Sequence, residues 1–405
     1  MKISRSLMAG RALEAAGLLV AAASCVWLVV RLGAPHGASR LLEAALLAPA
    51  VLAGLGLAWF GHSLLRRDRR VLRDLVGGYR GSALLYVAAR LGIADLLADG
   101  PKSGAELARV LGAHAPSLQR VLRALVALGV CSEEGDGRFA LTSTGALLRA
   151  GARGSARGSA ILCGEEYYPA WGGLLHTVMT GEPAFGHLFG MTQWEHRQKH
   201  PELNEHFNEG LELGTARITR DILAAYDFSR FQTVADVGGG HGALIAAILK
   251  AHPSVSGILF DQPHVLDGAR SCLEAAGVAA RCRLVAADFL DHLPDRADAC
   301  VLKSVLNDWD DERSLTVLKS CRAALVGRGT LLVIERVLPE GAHPDTGASL
   351  MDVQMMVVTG GRLRTAEEHR ALLAAAGFRM TNVIPAGSGR HIIEAVPAEG
   401  PQNPA

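Results

Sequence analysis

Thr233-Val-Ala-Asp-Val-Gly-Gly-Gly-His-Gly-Ala243 is the stretch on which the fold turns. Its first half is a short apolar strand interrupted by one acid, Asp236. Its second half is a run of small residues, Gly238, Gly239, Gly240 and Gly242. Such a run turns tightly and lets a ligand approach the backbone, and HGALIAAILKAHP then continues as a helix. Spaced as Gly238, Gly240 and Ala243, the loop also fits a G-x-G-x-x-A dinucleotide fingerprint, a pattern of little specificity by itself.

Downstream, SGILFD, CRLVAAD, DACVLKSVL and GTLLVIERVL read as strands. VLDGARSCLEAAG, DERSLTVLKSCRAAL and TAEEHRALLAAAGF are the helices among them, and FRMTNVIPA and HIIEAVP are two last strands. This alternation predicts an α/β fold, a Rossmann-like, doubly wound and mostly parallel sheet over 226–397. The ligand belongs at the carboxyl ends of its strands, near the switch point. The acids there sort the ligand. Asp261 ends the second strand, placed for ribose hydroxyls, and Asp288 ends the third, where an adenine amino group would lie. With Asp236 before the glycines, they favour S-adenosylmethionine over NAD, because that cofactor has no pyrophosphate for a helix N-terminus to cradle.

Upstream of the sheet, residues 161–225 form a helical linker rich in aromatics and histidines. Tyr167, Trp171, His176, Phe185, His187, Trp194 and Phe207 are candidates to line a pocket for a flat ligand, with ordinary helix packing as the alternative for each. No pair has the spacing of a metal site with a third ligand, so no metal is expected. Residues 74–160 read as helix, helix, hairpin. Ser103-Gly-Ala-Glu106 is a capping box, SLQRVLRALVALGV an amphipathic helix, and CSEEGDGRFALT two short strands. This is a winged-helix pattern. Arg120 and Arg123 are too sparse for a phosphate-binding stripe, so a dimerisation role is expected and nucleic acid is not.

The whole chain has 405 residues, with 41 Lys/Arg against 40 Asp/Glu and a formal charge of +1. The balance excludes a disordered polyelectrolyte, and seven cysteines without a C-x-x-C pair exclude a disulfide scaffold and a zinc ribbon. The near-neutral total hides a split. Residues 1–73 carry ten Lys/Arg and three acids (Glu14, Glu43, Asp68), a net +7, which leaves −6 for 74–405. Two apolar stretches, about 12–30 and 41–65, have a length near the roughly 20 residues that cross a bilayer. A cleaved signal peptide is the alternative for the first. Their flanking cations predict two transmembrane helices anchoring the chain in the inner membrane through residues 12–65, with both ends and the catalytic domain facing the cytoplasm. An anchor of this kind suggests an apolar acceptor such as a quinone, carotenoid or lipid-like phenol. Residues 398–405 are a tail.

VADVGGGHG, FDQPHV, AADFL, LKSVLNDWDDE, IERVLPE and GGRLRT in combination resemble the plant-type and hydroxyindole-type small-molecule O-methyltransferases, over roughly residues 75–397. The resemblance implies a class I methyltransferase fold, a winged-helix domain that makes an intertwined homodimer, and S-adenosylmethionine as cofactor. It carries cofactor contacts over to Gly238, Asp261, Asp288, Phe289 and Lys303. Leu211 and Thr215 fall where the family has residues near the cofactor's sulfur end. It implies a hydroxyl of an aromatic or polyketide-like small molecule as acceptor.

The catalytic positions depart from the family. Its His-Asp-Trp run is Asn307-Asp308-Trp309 here, and the two glutamates that hold the histidine are Glu335 and, in place of the second, Leu363. Asparagine has no proton to exchange near neutral pH. Asn307, Asp308 and Glu335 are the candidate catalytic residues. Either Asn307 orients an already acidic phenol or enol, or another group (Asp308, His176 or His187) is the base. A third alternative is that the fold binds the cofactor without methylating, as in hydroxylase-like relatives from anthracycline biosynthesis. A winged-helix regulator sensing a ligand is the reading from a different class.

Overall fold

The computed structural model of the protein describes residues 12–13, 15–23, 52–53, 55–57, 59–60, 69–152, 154–212, 215–341, 345–387 and 389–398, without side-chain detail for 208–216. The chain divides into two units, Met1–Ser82 and Ala83–Ala405.

In the first unit the expectation of an inner-membrane anchor is corrected. A crossing helix needs about 20 apolar residues. The longest described helical run between 12 and 60 is 15–23, and among the described residues no helix is long and apolar enough to cross a membrane. Residues 14, 24–30, 41–51, 54, 58 and 61–65 of the two expected spans lie outside the described residues. The membrane location, the cytoplasm-facing orientation and the apolar acceptor inferred from them are withdrawn.

The winged-helix reading of the next segment matches its local structure. Helix Gly104–Leu111 begins at Ser103, whose hydroxyl accepts from the Glu106 amide at 3.2 Å while Glu106 Oε2 accepts from the Ser103 amide at 2.7 Å. Helix Ala115–Ala127 buries Leu118, Leu122 and Leu125, the stripe its 3.6-residue period demands. Strands β1 (Lys102–Ser103), β2 (Cys131–Glu133) and β3 (Arg138–Leu141) pair antiparallel in the order β1-β3-β2, and Phe139 fills the centre of the core they share with the helices.

The large sheet contains β4 (Thr233–Val237), β5 (Ser256–Asp261), β6 (Cys282–Ala286), β7 (Ala297–Lys303), β8 (Leu325–Leu338), β9 (Arg364–Thr365), β10 (Phe378–Pro385) and β11 (Arg390–Pro397). Its order is β10-β11-β8-β7-β4-β5-β6, with β9 beside β8; the pairs from β8 to β6 are parallel, and β11 is antiparallel to both β8 and β10. Both faces of β4 and β7 are buried under helices, which is why their sequences are apolar runs rather than alternating ones. The strand sequence reverses direction between β4 and β7. The carboxyl ends of those two strands therefore open the crevice in which such sheets bind ligands.

Three details differ from expectation. The fourth strand stops at Lys303 instead of running to Leu306, because Ser304 turns left-handed at φ 55° and a single 3₁₀ turn, Leu306–Asp308, follows. A helix at Thr346–Val358, capped by Asp345, occupies a segment for which no element was expected. Cys163–Tyr167 is a π-helical turn within the helical linker.

Candidate active site

The two strand ends at the switch point carry different chemistry. After β4, Gly238, Gly240 and Gly242 adopt φ of 66°, 59° and 77°, a conformation open to glycine and costly for other residues. At Gly239 the constraint is space: a Cβ there would lie 2.3 Å from Leu259 Cδ1 and 2.6 Å from the Asp236 carboxylate. Beneath the loop Asp236 is 1 % exposed, and neither carboxylate oxygen has a partner in hydrogen-bonding geometry. Burial pushes its pKa up to about 6, while Lys303 and the Ile245 amide favour the charged form. Lys303 ends β7, and burial holds its ammonium below the usual range against the pull of Asp236. Asp261 accepts from the Gly240 amide at 2.8 Å and the Gln262 amide at 2.7 Å, fixing its carboxylate beside the loop. Asp288 lies two residues past β6, exposed, and accepts from the Leu290 amide at 2.9 Å. A Cβ on Gly238 would be 3.1 Å from Val305 and 3.4 Å from Phe289, so the loops after β4, β6 and β7 converge. Gly238, Asp261, Asp288, Phe289 and Lys303 thus stand at or just past the carboxyl ends of the neighbouring strands β4, β5, β6 and β7. The side chains of Leu211 and Thr215 lie outside the described residues.

After β7 the Leu306–Asp308 turn is held on several sides. Glu335, 2 % exposed on β8, accepts through Oε1 from the Val305 amide at 3.1 Å and the Asn307 amide at 3.2 Å. Arg364, 1 % exposed, donates to the carbonyls of Leu306 at 3.0 Å and Trp309 at 3.1 Å and pairs with Asp311 at 2.7 Å. Gly361 packs against the turn itself: a Cβ there would sit 2.2 Å from the Asn307 carbonyl oxygen. Leu363, where the family has a second glutamate, is a buried apolar side chain whose amide donates to Asp352 at 2.8 Å. Asn307 Nδ2 donates to Met355 Sδ at 3.0 Å and to Asp308 Oδ1 at 3.4 Å. Burial pushes Glu335 up to about 7 against the amides of the turn and Arg364. It pushes Asp308 up to about 8, with Glu335 adding to the rise and Arg197 opposing it.

Aromatic groups stand around the turn. Trp309 lies 6.3 Å from Trp194 and 6.4 Å from Phe289 between ring centres, and Trp171 bonds through its indole N–H to Gln354, beside Met355. Of the other sequence candidates, Phe185 is core, Phe207 lies under the Arg197 guanidinium at 3.7 Å, and His176 and His187 stack on each other at 3.9 Å. Sequence reasoning missed Arg364, Gly361, Met355 and a buried cluster in which Glu166 accepts from Arg197 at 2.8 Å and sits 3.2 Å from His196. The motif GGRLRT contained two of these residues.

Residues 171–379 match the O-methyltransferase domain and residues 73–150 the O-methyltransferase dimerisation domain. The chain is 46% identical over 327 residues to the phenazine O-methyltransferase of Lysobacter antibioticus, spanning 81% of this chain and 96% of that one. The chain belongs to this O-methyltransferase family. Its fold overlays a solved mitomycin 7-O-methyltransferase with a TM-score of 0.78 at 33% identity, covering 83% of this chain and 100% of the other. An O-methyltransferase from neocarzinostatin biosynthesis, solved with S-adenosylmethionine and 2-hydroxy-5-methyl naphthoic acid, overlays with a TM-score of 0.68 at 34% identity, over 78% and 96% of the two chains.

The protein is thus an S-adenosylmethionine-dependent O-methyltransferase, and its dimerisation domain supports a homodimer. The residues present fit the cofactor. Asp236 is an orphaned buried carboxylate under a loop that excludes Cβ atoms, and acids at the ends of β4 and β5 and just past β6 suit hydroxyls, amines and a sulfonium cation while repelling a diphosphate. When bound, S-adenosylmethionine supplies a methyl group made electrophilic by positive sulfur.

Proposed function

We propose that this methyltransferase acts on a hydroxyl of a fused-ring aromatic acceptor, a phenazine-like or naphthoate-like phenol. Its 46% identity to a phenazine O-methyltransferase over nearly that enzyme's whole length carries the reading. The Trp194 and Trp309 rings beside the Leu306–Asp308 turn agree with a flat acceptor. In this reading Gly238 and Lys303 cradle the amino-acid side of the cofactor, Asp261 accepts from its ribose, and Asp288 and Phe289 hold its adenine. Asn307 orients the acceptor oxygen through its amide. Glu335 keeps the turn in place through the Val305 and Asn307 amides, and Asp308 presents a carboxylate beside it. Holding the acceptor and the methyl donor in one crevice accounts for much of the rate, since orientation alone lowers barriers by about 7–11 kcal/mol in well-placed pairs.

We assign the domains as 1–73, a winged-helix dimerisation domain at 74–160, a helical pocket segment at 161–225 and the cofactor-binding domain at 226–397. Incubation with S-adenosylmethionine and 1-hydroxyphenazine or a hydroxynaphthoate, followed by mass spectrometry, tests the acceptor class. An O-methylated product supports it. Methylation confined to monocyclic phenols or to amines contradicts it.

A further inference from the structure

Asn307 leaves this methyltransferase without the proton acceptor that its family places at that position, and the geometry of the turn offers a replacement. Glu335 from below, Arg364 from the carbonyl side and Gly361 against the backbone hold Leu306–Asp308 in one conformation. That conformation fixes the direction of the next side chain, Asp308. Its carboxylate receives one long hydrogen bond, from Asn307 Nδ2 at 3.4 Å, and keeps the rest of its acceptor capacity. The other contact of that same amide nitrogen, Met355 Sδ at 3.0 Å, anchors Asn307 as the arm that steadies Asp308.

Arg197, 2 % exposed, donates to Glu166 at 2.8 Å and to the Tyr167 hydroxyl at 3.1 Å, and both Arg197 and Tyr167 feel the Asp308 charge. The charged and titratable groups around Asp308 are therefore Glu335 on β8, Arg197 on helix Gln193–Lys199 and Tyr167 on the π-helical turn. His176 and His187 stack on each other, His176 Nε2 is buried without a hydrogen-bond partner, and among the described residues neither histidine is seen bonded to the turn.

We propose that Asp308 accepts the proton of the acceptor hydroxyl, doing in this chain what a histidine does one position earlier in its relatives, with Asn307 holding the carboxylate in place. The assignment rests on the methyltransferase reading of the site. In the step the O–H bond breaks and its proton goes to an Asp308 oxygen. The oxygen's electron pair forms the new O–C bond, and the S–C pair stays on sulfur. Asp308, neutral afterwards, gives the proton up to water once the product has left. A carboxylate whose proton affinity is raised toward that of a phenol is a better base than an ordinary one. It suits phenols made acidic by a neighbouring ring nitrogen or carbonyl.

The test compares the wild-type chain with Asp308→Asn and Asp308→Glu on 1-hydroxyphenazine and ring-substituted analogues of graded acidity, with S-adenosylmethionine binding followed separately by calorimetry. The expected result is a kcat lower by about 10²–10⁴-fold in Asp308→Asn, partial recovery in Asp308→Glu, and unchanged cofactor affinity. The loss should grow as the acceptor becomes less acidic, and the rise of kcat with pH near 8 should disappear. A uniform loss across the analogues, or a retained pH limb, overturns the assignment. So does a wild-type chain that binds the cofactor yet methylates none of the series. Absence of cofactor binding in the wild type would instead overturn the reading of the crevice.

Discussion

The loop after β4 and the turn after β7 lie side by side at the switch point, yet they are built by opposite means. The first is made by leaving things out: glycines at 238, 239, 240 and 242 remove Cβ atoms, and Asp236 is buried without a bonded partner. The second is made by filling in. Glu335, Arg364 and Asn307 saturate the turn with hydrogen bonds, and a single glycine at 361 admits it. A cofactor site of the first kind waits for its ligand to satisfy buried polar groups. An acceptor site of the second kind is preorganised before anything binds. The contrast predicts that damage at the turn appears mainly as lost stability and rate, and damage at the loop mainly as lost cofactor affinity.

The largest effect is expected at Arg364. Replacing it with Met leaves the carbonyls of Leu306 and Trp309 without their donor, at about 1–3 kcal/mol for each buried acceptor left unpaired, while Asp311, largely exposed and also paired with Arg362, adds little. Denaturant unfolding reads this directly, and a loss below about 1 kcal/mol would show that the turn does not depend on its arginine. Gly239→Ala comes next. Overpacking against Leu259 and Asp236 should cost about 1–3 kcal/mol and weaken S-adenosylmethionine by more than Gly240→Asn, where a Cβ meets open space and asparagine tolerates the left-handed φ of 59°. Equal losses at the two positions would remove the steric half of the comparison.

The pH dependence of stability sharpens it further. Asp236, Glu335 and Asp308 all have folded-state pKa values raised above their ordinary ones, to about 6, 7 and 8. The folded chain then binds more protons than the unfolded one. The stabilisation these groups supply is complete below about pH 4 and is lost as pH rises through those values. Their contribution to the melting temperature should therefore fall between pH 5 and 9, and Glu335→Gln should flatten that fall. A slope unchanged in Glu335→Gln would contradict the assigned ionisation. The smallest change is expected from Asn307→His. With Leu363 apolar there is no second carboxylate to orient the ring, and Asp308 already accepts the proton, so kcat should shift by less than about tenfold. A larger gain would return the base to position 307.

The two regions also differed in how far the sequence disclosed them. Glycine runs and strand-ending acids are local patterns, so the β4 loop, the place of Asp261 and the mostly parallel, doubly wound character of the large sheet were legible before any coordinates. So was the Ser103–Glu106 capping box, because both partners sit within one helical turn. Arg364 and Gly361 act on residues about 50 positions away in the chain, and nothing local in GGRLRT reports that contact. The helix Thr346–Val358 was missed because its apolar residues fall on all sides, leaving no 3.6-residue stripe to count. The π-helical turn that carries Glu166 and Tyr167 has no sequence period of its own. At the N-terminus a length-and-hydropathy rule predicted spanning helices, and among the described residues none is long and apolar enough.

The central claim is that two differently built strand ends together move a methyl group onto an aromatic hydroxyl. Its most direct test is transfer from methyl-labelled S-adenosylmethionine to 1-hydroxyphenazine, with the product identified by mass spectrometry. The account predicts label on the acceptor oxygen with the wild-type chain and a loss of about 10²–10⁴-fold with Asp308→Asn. Label that stays with the cofactor in the wild type, or transfers equally well in the variant, would contradict it.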